Sequence, residues 1–255
     1  MRMVSLQGVR SLLFLSASLF LVPQVQAETL YVAVASNFVY TLKLLSADFK
    51  KQTGHQLRIS SASTGKLYTQ IQHGAPFDVF MAADEARPDL LVSAADAVDS
   101  SAYVYAKGQI VLMSNISNGG ACKDVLLSSD LKRLSIANPK TAPYGLAAKQ
   151  VMEKLGVWQQ LRPRLVKGEN VAQTLQFVST KNAQAGFVAK SMLSMGKQIE
   201  HACSWDVPTD MYAPIKQKMV VLNKARDKVA ARAFVQYIRS DRAKEIIKST
   251  GYDVM

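Results

Sequence analysis

A strand that runs straight into a helix, twice in succession, governs what this chain can become. Apolar residues at Leu30, Val32 and Val34 mark a strand that stops at Ser36-Asn37, both good helix-capping types. Phe38, Leu42, Leu45 and Phe49 follow at helical spacing, the stripe of a helix lying on a sheet. The unit then repeats: residues 57–61 read as a strand, and Ser63-Thr64-Gly65-Lys66 opens a helix carrying Leu67 and Ile71. At such a junction the first helical N–H groups have no intrahelical partner, the helix dipole favours negative charge, and a Ser or Thr hydroxyl adds a donor. Two such turns on neighbouring parallel strands would form adjacent anion-binding corners. Each alone is equally an ordinary cap of an α/β domain.

The rest of the chain continues the alternation. Gly74 and Pro76 end the second helix, residues 77–82 make a third strand, and Arg87-Pro88 starts a helix whose buried side is Leu90, Leu91, Ala94 and Ala95. Strand–helix repetition predicts right-handed βαβ units and a parallel sheet. A new block opens at Gly108 with a strand over 108–113 and repeats the pattern. It has a strand at 133–137, a turn at 138–145 stiffened by Pro139 and Pro143, and a helix over 147–155. A short strand at 164–166 follows, then a helix from Val171 capped by Asn170 and a strand at 185–189, with Ser191 placed to cap what comes next. Residues 201–212 read as irregular, 214–222 as a strand, and 228–238 and 241–249 as two closing helices.

Outside this pattern the chain excludes more than it offers. Residues 1–27 form a secretory signal peptide: Arg2 and Arg10 without an acid, an apolar run over 11–22, and small residues at Val25 and Ala27. Cleavage is expected after Ala27. Losing those two arginines takes the formal charge from +12 to +10. The basic residues are scattered and not interleaved with aromatics, which argues against nucleic acid. Cys122 and Cys203 both lie in the exported part, where an oxidising compartment favours one disulfide; two free thiols are the alternative. His55, His73 and His201 lack ligand spacing, so no metal or cofactor is expected. No GxSxG elbow supports an esterase. Residues 60–67 fail as a phosphate loop, because Ser60 stands where the first Gly belongs and Leu67 follows Lys66. Lys66 therefore reads as a surface charge, and the chain as a binder instead of an enzyme.

Several segments together resemble the periplasmic molybdate-binding proteins of ABC transporters, a type II periplasmic binding protein family. They are Val34-Ala35-Ser36, Ser63-Thr64-Gly65-Lys66-Leu67, Gly74-Ala75-Pro76-Phe77-Asp78-Val79-Phe80, Ala82-Ala83-Asp84, Asn138-Pro139 through Pro143-Tyr144-Gly145, and Asn170-Val171. The resemblance covers the mature chain in order. It implies an α/β, two-lobed fold with the ligand cleft between lobes, each lobe a mostly parallel sheet flanked by helices. Residues 28–107 plus 213–255 would form lobe I and 108–212 lobe II. It further implies an oxyanion, molybdate and also tungstate, held without a cofactor by the Ser36 hydroxyl, a second hydroxyl at Thr64 with Ser63 as the near alternative, and the backbone N–H groups of Tyr144 and Val171. The position of a family Tyr hydroxyl falls on Ala189, a departure for which Tyr144 is a candidate replacement. The implied partner is an inner-membrane ABC permease, and the implied protein a periplasmic monomer. Another tetrahedral oxyanion (sulfate, phosphate or chromate) is the competing ligand, and an exported hydrolase using Ser36 or Thr64 the competing activity.

Overall fold

The computed structural model describes residues 27–117, 119–193 and 199–254. The signal peptide expected over residues 1–27 therefore lies, but for Ala27, outside the described residues. Among the described residues ten strands form two five-stranded sheets. The first contains β1 (Thr29–Ala35), β2 (Gln56–Ala62), β3 (Val79–Met81), β4 (Ala97–Gly108) and β10 (Ile215–Leu222) in the order β2-β1-β3-β10-β4. The second contains β5 (Ile110–Ser114), β6 (Leu134–Ala137), β7 (Leu165–Gly168), β8 (Ala185–Ala189) and β9 (Cys203–Asp206) in the order β7-β6-β8-β5-β9.

Both sheets follow one plan. Three parallel strands lie side by side, β2-β1-β3 in one and β7-β6-β8 in the other. One reversed strand, β10 or β5, then pairs antiparallel on both sides, and the strand beyond it, β4 or β9, runs with the first three. The sheets are thus mixed, with four of five strands pointing one way. The unforeseen pairings come from β4 and β9. In β4 the run Val98-Asp99-Ser100-Ser101 is largely polar and its pairing to β10 is bulged, which hides the period-2 signal. In β9 only four residues alternate half-buried and exposed, too few to stand out within 201–212.

Helices cover the sheets: α1 (Val39–Thr53), α2 (Thr64–Gln72), α3 (Ala86–Ser93), α4 (Pro143–Lys154), α5 (Trp158–Leu161), α6 (Val171–Ser179), α7 (Lys190–Leu193), α8 (Val229–Arg239) and α9 (Asp241–Ser249). The stripe Phe38, Leu42, Leu45 and Phe49 is fully buried and packs with Phe234 and Ile247 over the first sheet. In α3 only Leu91 of the expected apolar side is buried. Leu90 is 53% exposed and Ala94 and Ala95 face solvent, because this short helix starts at Ala86 and its inner face is set by Pro88 and Leu91. Ser191 lies inside α7 instead of capping it. Among the described residues no helix is long and apolar enough to cross a membrane.

The chain crosses between the sheets at Gln109 and returns over residues 207–214. Cys122, at the start of a 3-10 helix over Cys122–Leu127, is bonded to Cys203 on β9, with Cα atoms 5.7 Å apart across 81 residues. The bond ties the edge strand of the second sheet to the loop beside it. A loop of this size contributes about 2–5 kcal/mol by restricting the unfolded chain. Urea unfolding with and without reductant is expected to show a loss in that range; equal midpoints would mean that the bridge adds nothing.

Candidate functional site

The parallel strands of each sheet end on the same side, and the crevice beyond the carboxyl ends of such strands is where α/β proteins bind ligands. Four turns meet there. At the end of β1, residues Ser36–Phe38 make a single 3-10 turn. Neither Ser36 nor Asn37 caps α1, since the capping position falls on Phe38 and carries no side-chain bond. The Ser36 hydroxyl has no hydrogen-bond partner among the described residues. The turn is pinned from beneath. Phe38 packs on the rings of Tyr105 and Tyr252, at 4.7 and 5.1 Å between centroids. The Asn37 Nδ2 donates to Gln217 Oε1 at 2.8 Å and to Tyr252 Oη at 3.0 Å.

At the end of β2, Ser63 occupies the N-cap of α2 but makes no side-chain cap bond. Thr64, fully buried beside it, uses its hydroxyl oxygen to accept the Ala83 N–H at 3.1 Å. Thr64 thus holds the Ala82-Ala83 segment after β3 while keeping its own O–H proton to donate, and the Ser63 hydroxyl has no partner among the described residues. Gly65 donates its N–H to Thr141 O, from the other half of the molecule, at 2.8 Å. A Cβ there would lie 3.0 Å from the Thr141 Cα, so any larger residue would require the loop to give way.

The opposing turns belong to the second sheet. After β6, Ala142 N–H returns to Asn138 O at 2.9 Å and Lys140 N–H to Asn138 Oδ1 at 3.1 Å, closing the proline-bounded loop. Pro143 starts α4, and Tyr144 follows with a first-turn N–H that the helix cannot satisfy. A Cβ on Gly145 would collide with Ala137 O, so the helix start sits directly on the strand end. After β7, the Asn170 side chain accepts the N–H groups of Ala172 and Gln173 at 3.0 and 3.1 Å. That cap leaves the Val171 N–H as the uncovered donor of the turn. The Ser36 turn and α6 approach with Cα atoms within 8 Å. Ser63 and Asn170 line one cavity between the sheets.

Charged residues flank this cleft. Lys66 pairs with Glu169 of the facing sheet at 3.4 Å, both side chains largely exposed. Arg87 pairs with Asp84 and donates to Lys140 O at 3.2 Å. Ala189 ends β8 opposite Ile110 and offers only a methyl group. The Tyr144 side chain is buried at the junction of the two sheets, where a Cβ on Gly108 would strike its hydroxyl; burial raises its pKa well above the usual tyrosine range. No group of His, Cys, Asp and Glu among the described residues could hold a metal ion.

Sequence reasoning missed Asn37, Gln217 and Tyr252. Gln217 carried a readable signal, since it interrupts the inward-facing series Ile215, Gln217, Met219 and is fully buried. Such a polar residue at a core position needs a partner. Tyr252, just past the last helix, carried none.

Two sheets of one plan, between which the chain crosses twice, with a cleft between them, define a solute-binding protein of the two-lobed class. A family model described as bacterial extracellular solute-binding protein matches residues 30–253, and the chain belongs to that family. The molybdate-binding protein ModA of Azotobacter vinelandii is 45% identical over 231 residues, spanning 89% of this chain and 90% of that one. ModA of Rhodobacter capsulatus is 42% identical, spanning 89% and 88%. The solved structure of the Azotobacter vinelandii periplasmic molybdate-binding protein superposes with a TM-score of 0.83 at 35% identity, covering 89% of this chain and 99% of that one. These relatives bind solutes and are not enzymes.

Because Gly65 abuts Thr141 across the cleft, Gly65→Ala is expected to weaken solute binding by about 1–3 kcal/mol, the cost of overpacking a tight contact. Unfolding free energy should hold. Unchanged solute affinity in calorimetry would mean that the lobes do not need this approach.

Proposed function

We propose that the protein captures molybdate in the interlobe cleft, in the periplasm, and delivers it as a monomer to an inner-membrane ABC permease. The observation that carries this reading is the character of the donor set: two free hydroxyls and uncovered helix-start N–H groups, with no carboxylate and no free cation among them. A tetrahedral dianion presents only acceptors, so a lining made of donors matches it. An anion that brings a proton of its own leaves one donor unmatched, and a buried unmatched donor costs about 1–3 kcal/mol. The 45% identity to a molybdate-binding protein supports the choice of anion.

Ser36 and Ser63 are the hydroxyl donors in this reading, and Tyr144 and Val171 the principal backbone donors, with the backbone of Asn37 beside Ser36. Thr64 keeps the second turn in place through Ala83. Hydrogen bonds to a charged partner contribute about 1.5–3 kcal/mol each. Five or six suffice for submicromolar affinity after the entropic cost of association. Tungstate has the same charge and shape and binds too; sulfate is smaller and cannot reach both lobes equally well. Lobe I comprises residues 28–107 and 213–255, and lobe II residues 108–212, a division that the membership of the two sheets supports. Cleavage after Ala27 leaves Glu28 as the first residue. It is built into the fold: its N–H donates to His55 Nδ1 at 3.0 Å and its carboxylate accepts the Ala230 N–H at 2.8 Å.

Calorimetric titration of the mature protein against molybdate, tungstate, sulfate, phosphate and chromate tests the reading. Submicromolar binding of molybdate and tungstate is expected, with the other three at least a hundredfold weaker; preference for any of those three would overturn it. Ser36→Ala and Ser63→Ala should each lose about 1.5–3 kcal/mol of binding with little change in stability. Thr64→Ala should lower stability, because it strands the Ala83 N–H. Wild-type affinity in Ser63→Ala together with a large loss in Thr64→Ala would return the role to Thr64. Since no side chain of the donor set titrates near neutrality, affinity should stay flat between about pH 6 and 9. A fall centred near the histidine range would contradict a site made of neutral donors.

A further inference from the structure

Beneath the cleft, where the chain crosses between lobes, lies a cluster of buried polar side chains. Asn37, Tyr105, Gln217 and Tyr252 come from the first sheet and its flanks, Tyr144 and Ser191 from the second, and all are at most 3% exposed. Asn37 is the centre of the bonded part. Its amide donates to Gln217 and Tyr252, and its main-chain carbonyl accepts the Tyr252 hydroxyl at 2.8 Å. The Tyr105 hydroxyl, whose proton goes to Ala82 O at 2.9 Å, also lies 3.3 Å from Gln217 Oε1. The Tyr144 and Ser191 hydroxyls face Tyr252 but fall short of hydrogen-bond geometry, and the Gln217 Nε2 is likewise unpartnered.

Building on the reading above, we propose that Gln217 and Tyr252 are positioning residues for the anion site, acting through Asn37 to hold the Ser36-Asn37 turn with its donors aimed into the cleft. Clamping both the side chain and the carbonyl of Asn37 stops the peptide units on either side of it from rotating. Donors fixed before the ligand arrives lose no orientational freedom on binding, so the clamp contributes to affinity without touching the anion. The clamp also explains why a glutamine occupies a core position of β10 and why the C-terminal tail returns to the lobe junction, with Lys107 and Asp253 exchanging backbone hydrogen bonds at 2.8 and 3.1 Å.

Tyr252→Phe keeps the ring against Phe38 and removes only the hydroxyl. With the full mature protein and molybdate as the probe, it is expected to raise Kd about 5- to 30-fold, the loss of two neutral hydrogen bonds. Asn37→Ala should do the same, and the double variant should lose no more than Asn37→Ala alone, because one residue acts through the other. Tyr237→Phe is the control. It deletes another lobe I hydroxyl, one that donates to Asp48 at 2.9 Å on the far side of α1, and should lower stability while leaving Kd unchanged. Should Tyr252→Phe fail to fold, Gln217→Met is read in the same cycle. Additive losses, an unchanged Kd, or an equal loss in Tyr237→Phe would overturn the proposal. Absence of molybdate binding in the wild type would instead defeat the functional reading on which it rests.

Discussion

Unsatisfied backbone donors at helix starts are the constraint on which this molecule is built. A helix that follows a parallel strand directly must leave its first N–H groups without internal partners, and a folded chain rarely tolerates such groups buried and unpaired. Here such turns end parallel strands of both sheets, and in the proposed site what would be a liability in each lobe alone becomes a lining of donors. Asn170 shows the division of labour most clearly: its side chain covers Ala172 and Gln173 and leaves Val171 open.

The lobes meet through backbone as much as through side chains. Gly65 N–H to Thr141 O joins the start of α2 to the proline-stiffened loop before α4, and Arg87 reaches the same loop at Lys140 O. Both contacts join the two halves at the cleft. The basic residues lie around it and on the surface. Lys66 meets Glu169 across the opening, where solvent screens the pair and its worth is small.

Much of this was readable from residue order. The strand ends at Ser36, Ser63 and Asn170 announced themselves because hydroxyl and amide residues stand between a period-2 and a period-3.6 pattern. The second sheet was legible as a repeat of the first for the same reason. Reading failed where the signal is tertiary. The polar run in β4 makes a strand only because β10 lies beside it, and β9 only because β5 does. Thr64 and Ser63 cannot be told apart by type. Only the position of Ala83, brought beside them by β3, shows which hydroxyl accepts a backbone N–H. Tyr252 reaches Asn37 across 215 residues of chain, a distance over which local pattern carries no information.

The account stands on neutral groups being enough to hold a doubly charged guest. A crystal structure of the protein with molybdate tests it directly. The oxygens should lie about 2.7–3.2 Å from the Ser36 and Ser63 hydroxyls and the Tyr144 and Val171 nitrogens, with no lysine or arginine nitrogen in contact. An anion seated against Lys66 or Arg87, away from those four residues, would contradict it.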